Sequence, residues 1–455
     1  MHANSLKKAV SRVHDGKALS YMRVFICIAM ATALVSSAQA QLRLPVAPLP
    51  ALPIQKLTQT VGQTGADTLQ QLSDVRHLLT ASLIQANPRT IAADPHGNPI
   101  VRGELLAYAP STQAIAAAQA NGFTIARERT YGDLDVHLVV LQAPPSMNIV
   151  KALRALRAAD PAGTYDFNHI YTGVGVLSAG VPAGQQSDAP SPQSAGANGS
   201  GQPLPRVGLI DSGVDGSHPV FRDALIHPWG CGDHVLPSAH GTAVASLLVG
   251  QSTRFHGVLD RAELYAADVY CNAPTGGAVD ALAAAFAWLA EQRVAVINVS
   301  LVGPDNAALA QIVRVLTSRG YLLVAAVGND GPAAPPLYPA SYPHVVGVTA
   351  VDAHRRVLIE AARGNQVMFA ARGADMSAAD IGAKYSAIRG TSFAAPIVAA
   401  LLAQSVTAPD LSTSNAAIEA LAQSAIDLGP KGRDLTYGFG LVGADYHSDL
   451  AQPGP

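Results

Sequence analysis

Three short segments of the chain carry side chains that could do nucleophilic chemistry together. Val207-Gly208-Leu209-Ile210-Asp211-Ser212-Gly213-Val214 is an apolar run that ends on a carboxylate and turns on glycine. His240-Gly241-Thr242-Ala243-Val244-Ala245 puts an imidazole at the head of an apolar stretch, and Gly390-Thr391-Ser392-Phe393-Ala394-Ala395-Pro396 puts a serine at the head of another. A serine hydroxyl is a poor nucleophile at its own pKa; an imidazole in reach can take its proton, and a carboxylate can fix the imidazole's tautomer and stabilise its cation. The chemistry of such a trio is acyl transfer through an acyl-enzyme. Each segment alone also has an ordinary reading, as a strand-end turn, a polar helix start or a cap. Their occurrence together, in the order Asp, His, Ser, carries the inference.

The surrounding pattern says what must position them. Val207–Ile210, Leu264–Val269, Val294–Val299, Leu322–Val327 and Val345–Val348 are short, continuous apolar runs, as expected of strands covered on both faces in a parallel sheet. Helical stretches over 240–250, 276–292, 305–319 and 393–406 sit between or after them. The fold class is therefore α/β, a doubly wound, mainly parallel sheet, with its chemistry at the carboxyl ends of the strands. A helix as apolar as 393–406 must be buried. Pro396 is expected in its first turn, where N–H groups have no intrahelical acceptor to lose.

These segments resemble the subtilisin-like serine peptidases, and the resemblance spans about 206–448. Asp211-Ser212-Gly213-Val214 is similar to the family's aspartate motif, His240-Gly241-Thr242 to its histidine motif, and Gly390-Thr391-Ser392 with Pro396 to its nucleophile motif. Val324-Ala325-Ala326-Val327-Gly328-Asn329-Asp330-Gly331 resembles the strand and turn that supply the oxyanion asparagine, which implies that role for Asn329. Ile297-Asn298-Val299-Ser300-Leu301 resembles the strand lining the substrate cleft, so Ser300, Leu301, Val302 and Gly303 are implied to bind substrate. Tyr338-Pro339-Ala340-Ser341-Tyr342-Pro343 resembles a loop beside the primary specificity pocket. Val302 stands where the family often has glycine, and Ala370-Ala371-Arg372-Gly373 replaces a common Ala-Pro-Gly. His218 reads as structural and Asp268 as a loop carboxylate. The resemblance implies hydrolysis of polypeptides with no cofactor required; structural calcium is common in the family, but no compact acidic cluster assigns a site. Two other readings are a catalytically inactive binding scaffold and a sedolisin-type acid peptidase, which uses glutamate as base where this chain has His240.

Upstream, residues 98–172 alternate strand, helix, strand, strand, helix, strand, the split βαβ order of a small α+β, ferredoxin-like domain. Beside a subtilisin-like domain it resembles the propeptide, an intramolecular inhibitor and therefore a partner of the peptidase domain. Residues 173–205 read as a flexible linker, since from 176 onward they are rich in Gly, Ser, Pro and Gln. Residues 41–97 comprise a Pro-punctuated stretch and a roughly helical one over 55–85, and 449–455 form a tail. Arg23, the apolar run 24–35 and Ala38-Gln39-Ala40 read as a signal peptide over 1–40, which predicts a secreted or periplasmic protein. The alternative is a membrane anchor, but the run is shorter than the roughly 20 residues a span requires. Export would leave Cys231 and Cys271 as the mature cysteines, to be paired as a disulfide or kept as two thiols. The 455 residues carry a formal net charge of −2, so no electrostatic footprint favours nucleic acid as a partner.

Overall fold

The computed structural model describes residue 76 and residues 78–173, 176–177, 204–252 and 255–448. Seven strands form its largest sheet: β8 (Arg206–Asp211), β9 (Leu225–Trp229), β10 (Glu263–Asp268), β11 (Val296–Val299), β13 (Leu322–Ala326), β14 (Val346–Val351) and β15 (Val367–Arg372). Their spatial order is β15-β14-β13-β11-β8-β10-β9, and every pairing is parallel. Side chains alternate between two cores. Val207, Leu209, Val296 and Val324 face one that includes α4 (Ala239–Val249) and α7 (Thr391–Ala403). Ile210, Ile297 and Leu323 face another that includes α5 (Val279–Glu291) and α6 (Ala307–Ser318). Burial on both faces is why these strands read as unbroken apolar runs. The chain lays β10 on one side of β8 and then β11 on the other. Asp211, the last residue of β8, thus stands at the point where the winding reverses, the place such sheets offer for ligands.

Several elements escape the sequence reading. β9 is an edge strand containing Pro228, and its burial pattern lacks a continuous apolar run. The hairpin β16 (Ala374–Asp380) and β17 (Lys384–Arg389) mixes small and polar residues with isolated large apolar ones and has no continuous apolar run. Helix α8 (Leu411–Ser424) buries only Ser414 and Ala417, too little for a clear period, and is started by Asp410, whose Oδ1 accepts the Thr413 N–H at 2.8 Å.

The smaller sheet has the order β5-β2-β4-β3, all antiparallel, from β2 (Pro99–Tyr108), β3 (Thr124–Tyr131), β4 (Val136–Gln142) and β5 (Thr164–His169), with α2 (Thr112–Ala120) and α3 (Ile149–Ala159) between strands. This is the ferredoxin-like order. One face packs on its own helices through Leu105, Val139, Leu141, Leu153 and Leu156. Leu106, Leu138 and Val140 on the other face join the core of α5 and α6, so the two domains share buried surface. The boundary expected at 98 is too late: β1 (Ile91–Ala93) pairs antiparallel with β2, and a helix, α1, over 78–86 packs Leu83 and Ile84 beside Ile91. Three residues of strand are too few to show a period. The linker expected from 173 likewise begins later, because Gly173 and Val176–Leu177 are strand-paired to the larger domain. The segment over 1–75, including the signal-peptide and Pro-rich stretches, lies outside the described residues. Among the described residues, no helix is long and apolar enough to cross a membrane.

A buried polar chain pins the two domains together. Asp94 Oδ2 lies 3.2 Å from His169 Nε2, and the Asn306 amide donates to both Phe167 O and His169 Nδ1 at 2.9 Å. Burial raises the Asp94 carboxyl, but hydrogen bonds from His169, Asn98 and the His96 N–H overcome this and hold it down at about 2. A carboxyl whose folded pKa is depressed stabilises the fold above its ordinary value of 3.8 and loses that contribution as pH falls through about 2. Asp94→Asn, made in an inactive Ser392→Ala background, is expected to cost about 2 kcal/mol at neutral pH. Urea melts check it: the gap between the variants should close on acidification below about pH 4.

Candidate active site

β8 delivers Asp211, 1% exposed, to the upper edge of the sheet. Its Oδ1 accepts the Ser212 N–H at 2.6 Å and the Ser212 hydroxyl at 3.0 Å, and stands 2.8 Å from His240 Nδ1. A carboxylate can only accept, so Nδ1 carries the ring proton and Nε2 keeps its lone pair for another partner. His240 reaches this position because α4 starts against the end of β8. The Gly241 N–H donates to Ser212 Oγ at 3.1 Å, and a Cβ at Gly241 would lie 2.0 Å from the Ser212 carbonyl oxygen. Glycine after the histidine is therefore a steric requirement of the approach.

Ser392 is the second residue of α7, whose N-cap is Gly390. Its Oγ is buried and, among the described residues, makes no hydrogen bond; the His240 ring lies 5.5 Å from that of Phe393, the next residue. Pro396 is deeper than expected, the sixth residue of a helix that begins at Thr391 and not at 393. The carbonyl it leaves without an N–H partner is that of Ser392, which instead accepts the Ser300 hydroxyl at 3.1 Å. Ser300 in turn accepts from Asn298 Nδ2 at 2.9 Å. Ser300, implied by resemblance to contact substrate, thus uses its side chain to support the serine helix.

Asn329 follows β13, with its Oδ1 occupied twice: Thr391 donates its N–H at 3.1 Å and its hydroxyl at 3.0 Å. Thr391 also accepts from the Gly328 N–H at 3.3 Å. Those bonds fix the amide's orientation and reserve Nδ2 as the donor. The sequence reading missed Thr391 in this part, although its place immediately before the serine was the available signal. Asp330, next in the chain, pairs with Arg76 at 3.3 Å, so the segment leading into α1 reaches the same rim.

The chain itself lies along this edge. β6 (Thr172–Gly173) pairs antiparallel with β12 (Leu301–Val302), Thr172 opposite Val302 and Gly173 opposite Leu301. Gly173 comes close to His240: a Cβ there would be 3.9 Å from His240 Cε1. Two residues on, β7 (Val176–Leu177) pairs with β17, Val176 opposite Arg389. Upstream, Tyr171 is fully buried, its hydroxyl donating to the Pro304 carbonyl at 2.5 Å. Its ring fills the space beside Gly303, where a Cβ would come within 2.7 Å of ring carbons. Gly303 therefore makes room for the Tyr171 ring by having no side chain, while Leu301 and Val302 meet Gly173 and Thr172 along the backbone.

Cys231 and Cys271 are brought together, their sulfurs 2.17 Å apart across a Cα separation of 5.1 Å. Asp268 lies opposite Asp211 in the β8–β10 register, and its Oδ1 accepts the N–H groups of Tyr270 and Cys271 at 2.9 and 3.0 Å. Burial, then the charge of Asp211, raises its carboxyl above the ordinary value. His218 is held between the Val220 N–H, which donates to its Nδ1 at 3.1 Å, and the Lys384 carbonyl, 3.0 Å from its Nε2. Among the described residues the one convergence of three ligand-bearing side chains is Cys231, Asp268 and Cys271. Two joined sulfurs and one carboxylate do not make the oxygen-rich set that calcium needs.

The stretch that carries Asp211, His240 and Ser392 matches one family over about half of the chain. The subtilase family profile covers residues 205–440, just over half of the sequence. The chain belongs to the subtilase family. Subtilisin E of Bacillus subtilis (strain 168) is 32% identical over 272 residues, which span 58% of this subtilase and 70% of that protein. M-protease of Shouchella clausii (strain KSM-K16) is 33% identical over 279 residues, 60% of this chain and 71% of that one. The minor extracellular protease Epr of Bacillus subtilis (strain 168), 30% identical over 208 residues, is matched over 45% of this subtilase but only 32% of its own length. In fold, the subtilase is similar to fervidolysin from Fervidobacterium pennivorans, a keratinolytic enzyme related to subtilisin, with a TM-score of 0.60 at 19% identity. That likeness covers 78% of this chain and 62% of fervidolysin.

Proposed function

We propose that this subtilase is a secreted or periplasmic serine endopeptidase, made as a zymogen whose N-terminal domain blocks its own cleft. The observation that carries the reading is the strand pairing of residues 172–173. Thr172 and Gly173 pair antiparallel with β12, with Gly173 against His240, as a polypeptide substrate would, and Val176–Leu177 pair with β17. In the reaction Ser392 Oγ attacks the peptide carbonyl as His240 Nε2 takes its proton, while Asp211 holds Nδ1–H and stabilises the imidazolium. The oxyanion accepts from Asn329 Nδ2 and the Ser392 N–H. The tetrahedral intermediate then collapses, His240 returns the proton to the departing amine, and water repeats the sequence on the acyl-enzyme. No cofactor enters these steps.

An inactive scaffold would have no need of the hydrogen bonds by which Thr391 orients Asn329, and an acid peptidase would place a carboxyl where His240 stands. Labelling with a fluorophosphonate, together with a pH profile of peptide hydrolysis, tests the reading. His240 must be unprotonated to act as base, and imidazoles ordinarily titrate near about 6.5. We expect kcat/KM to fall about tenfold per pH unit below roughly pH 6. Activity undiminished to about pH 4 would overturn the histidine-base assignment in favour of acid-peptidase chemistry.

A further inference from the structure

In an extended strand alternate residues turn their N–H and C=O groups to opposite edges. Thr172 and Gly173 are in register with Val302 and Leu301 of β12, and the N–H and C=O of Tyr171 turn to the opposite edge, as by alternation do those of Gly173. What meets them there is only partly backbone. The Tyr171 N–H donates to the Gly277 carbonyl at 2.8 Å, but the Tyr171 carbonyl accepts from the Tyr270 hydroxyl at 3.1 Å. The Gly173 N–H acts on the same phenol, favouring its ionised form against the larger effect of burial. One side chain therefore donates to residue i and acts on the N–H of residue i+2, two groups that a neighbouring strand would otherwise meet.

The phenol is firmly placed. Its ring packs on the core of α5 and α6. Its backbone N–H and that of Cys271 both end on Asp268 Oδ1, and Cys271 is tied across to Cys231. Burial raises the hydroxyl well above its ordinary pKa, so it keeps its proton and remains a donor.

We infer that Tyr270 is a substrate-binding residue that grips the backbone of an incoming peptide, with Asp268 and the Cys231–Cys271 pair as its positioning groups. The inference rests on the peptidase reading, in which residues 171–173 occupy the place of substrate on the amino side of the cut bond. Since a carbonyl and an N–H are common to nearly every residue, the grip favours length over side-chain identity. Proline or an N-methyl residue at the position of Gly173 would forfeit half of it.

Two peptide amides test this on the processed enzyme: one with four residues before the cleaved bond, and one with a single acylated residue that reaches neither group. Tyr270→Phe keeps the ring and removes the hydroxyl. Its kcat/KM on the long substrate should fall about tenfold, mostly through KM, the scale of one or two backbone groups left unpaired. The short substrate should be cut at an unchanged rate. A long substrate N-methylated at the second residue before the bond should lose affinity with the parent enzyme and lose less with Tyr270→Phe. Cys231→Ser with Cys271→Ser should raise KM for the long substrate alone. Equal losses on both lengths, or none on the long one, overturn the role of Tyr270. A long-substrate KM untouched by the double serine change removes the cysteines from it. A parent enzyme that cuts neither substrate and takes no fluorophosphonate label would instead defeat the peptidase reading.

Discussion

Ser392→Ala is expected to give a folded chain of full length that hydrolyses no peptide and keeps its N-terminal domain attached. The loss should be roughly a millionfold in kcat, the scale known for triad deletions in subtilisin itself. Folding should survive because Ser392 Oγ makes no hydrogen bond among the described residues and the helix N-cap is Gly390, so alanine forfeits no capping bond. The same variant tests whether the chain removes its own N-terminal domain, as the proposed zymogen reading requires. With Gly173 beside His240 and in register with Leu301, the proposed cut falls one residue beyond Gly173. That is a few residues beyond Tyr171, where the sequence pattern alone ends the strand. Wild-type enzyme should therefore carry a new N-terminus at about 175, and Ser392→Ala should carry none. Cutting that persists in the alanine variant, or a wild-type start deep within 178–203, would point to another peptidase.

The residues legible from sequence are those whose neighbours in the chain advertise their setting. Asp211 ends an apolar run because β8 is covered on both faces, and His240 precedes Gly241 because α4 must touch the Ser212 carbonyl. Asn329 follows another such run, β13. The two large layers of the fold were legible for the same reason. Residues whose work depends on distant partners were not. Thr391 meets Asn329 across 62 positions, and Tyr270 meets Tyr171 across 99. The strand at Val176–Leu177 owes its existence to β17, and its own Gly- and Ser-rich surroundings predict linker. Pro396 was legible as a residue tolerated in a helix but not as the cause of an open carbonyl, because its acceptor lies one turn back and its replacement donor, Ser300, 92 positions away.

Asn329→Ala should lower kcat by about 100- to 1,000-fold while KM changes little, a magnitude established on the equivalent donor of subtilisin. The asymmetry follows from where charge develops. A ground-state carbonyl needs little from the amide, whereas the oxyanion of the tetrahedral intermediate takes a charge-assisted hydrogen bond in a site walled off from water. The geometry here adds a second, graded expectation. Thr391 holds Oδ1 with both its N–H and its hydroxyl, and removing only the hydroxyl leaves the amide free to swing about the remaining bond. Thr391→Val should therefore lower kcat by about tenfold, again with KM nearly constant, since one neutral hydrogen bond is worth about a kcal/mol. Thr391→Ser, which keeps the hydroxyl, should restore most of the rate. Combined with Asn329→Ala, Thr391→Val should cost little more than Asn329→Ala alone, because a group that acts by orienting the amide has nothing left to orient. Full additivity of the two changes would mean that Thr391 serves catalysis by some other route, and an unchanged kcat in Asn329→Ala would remove the amide from the oxyanion site.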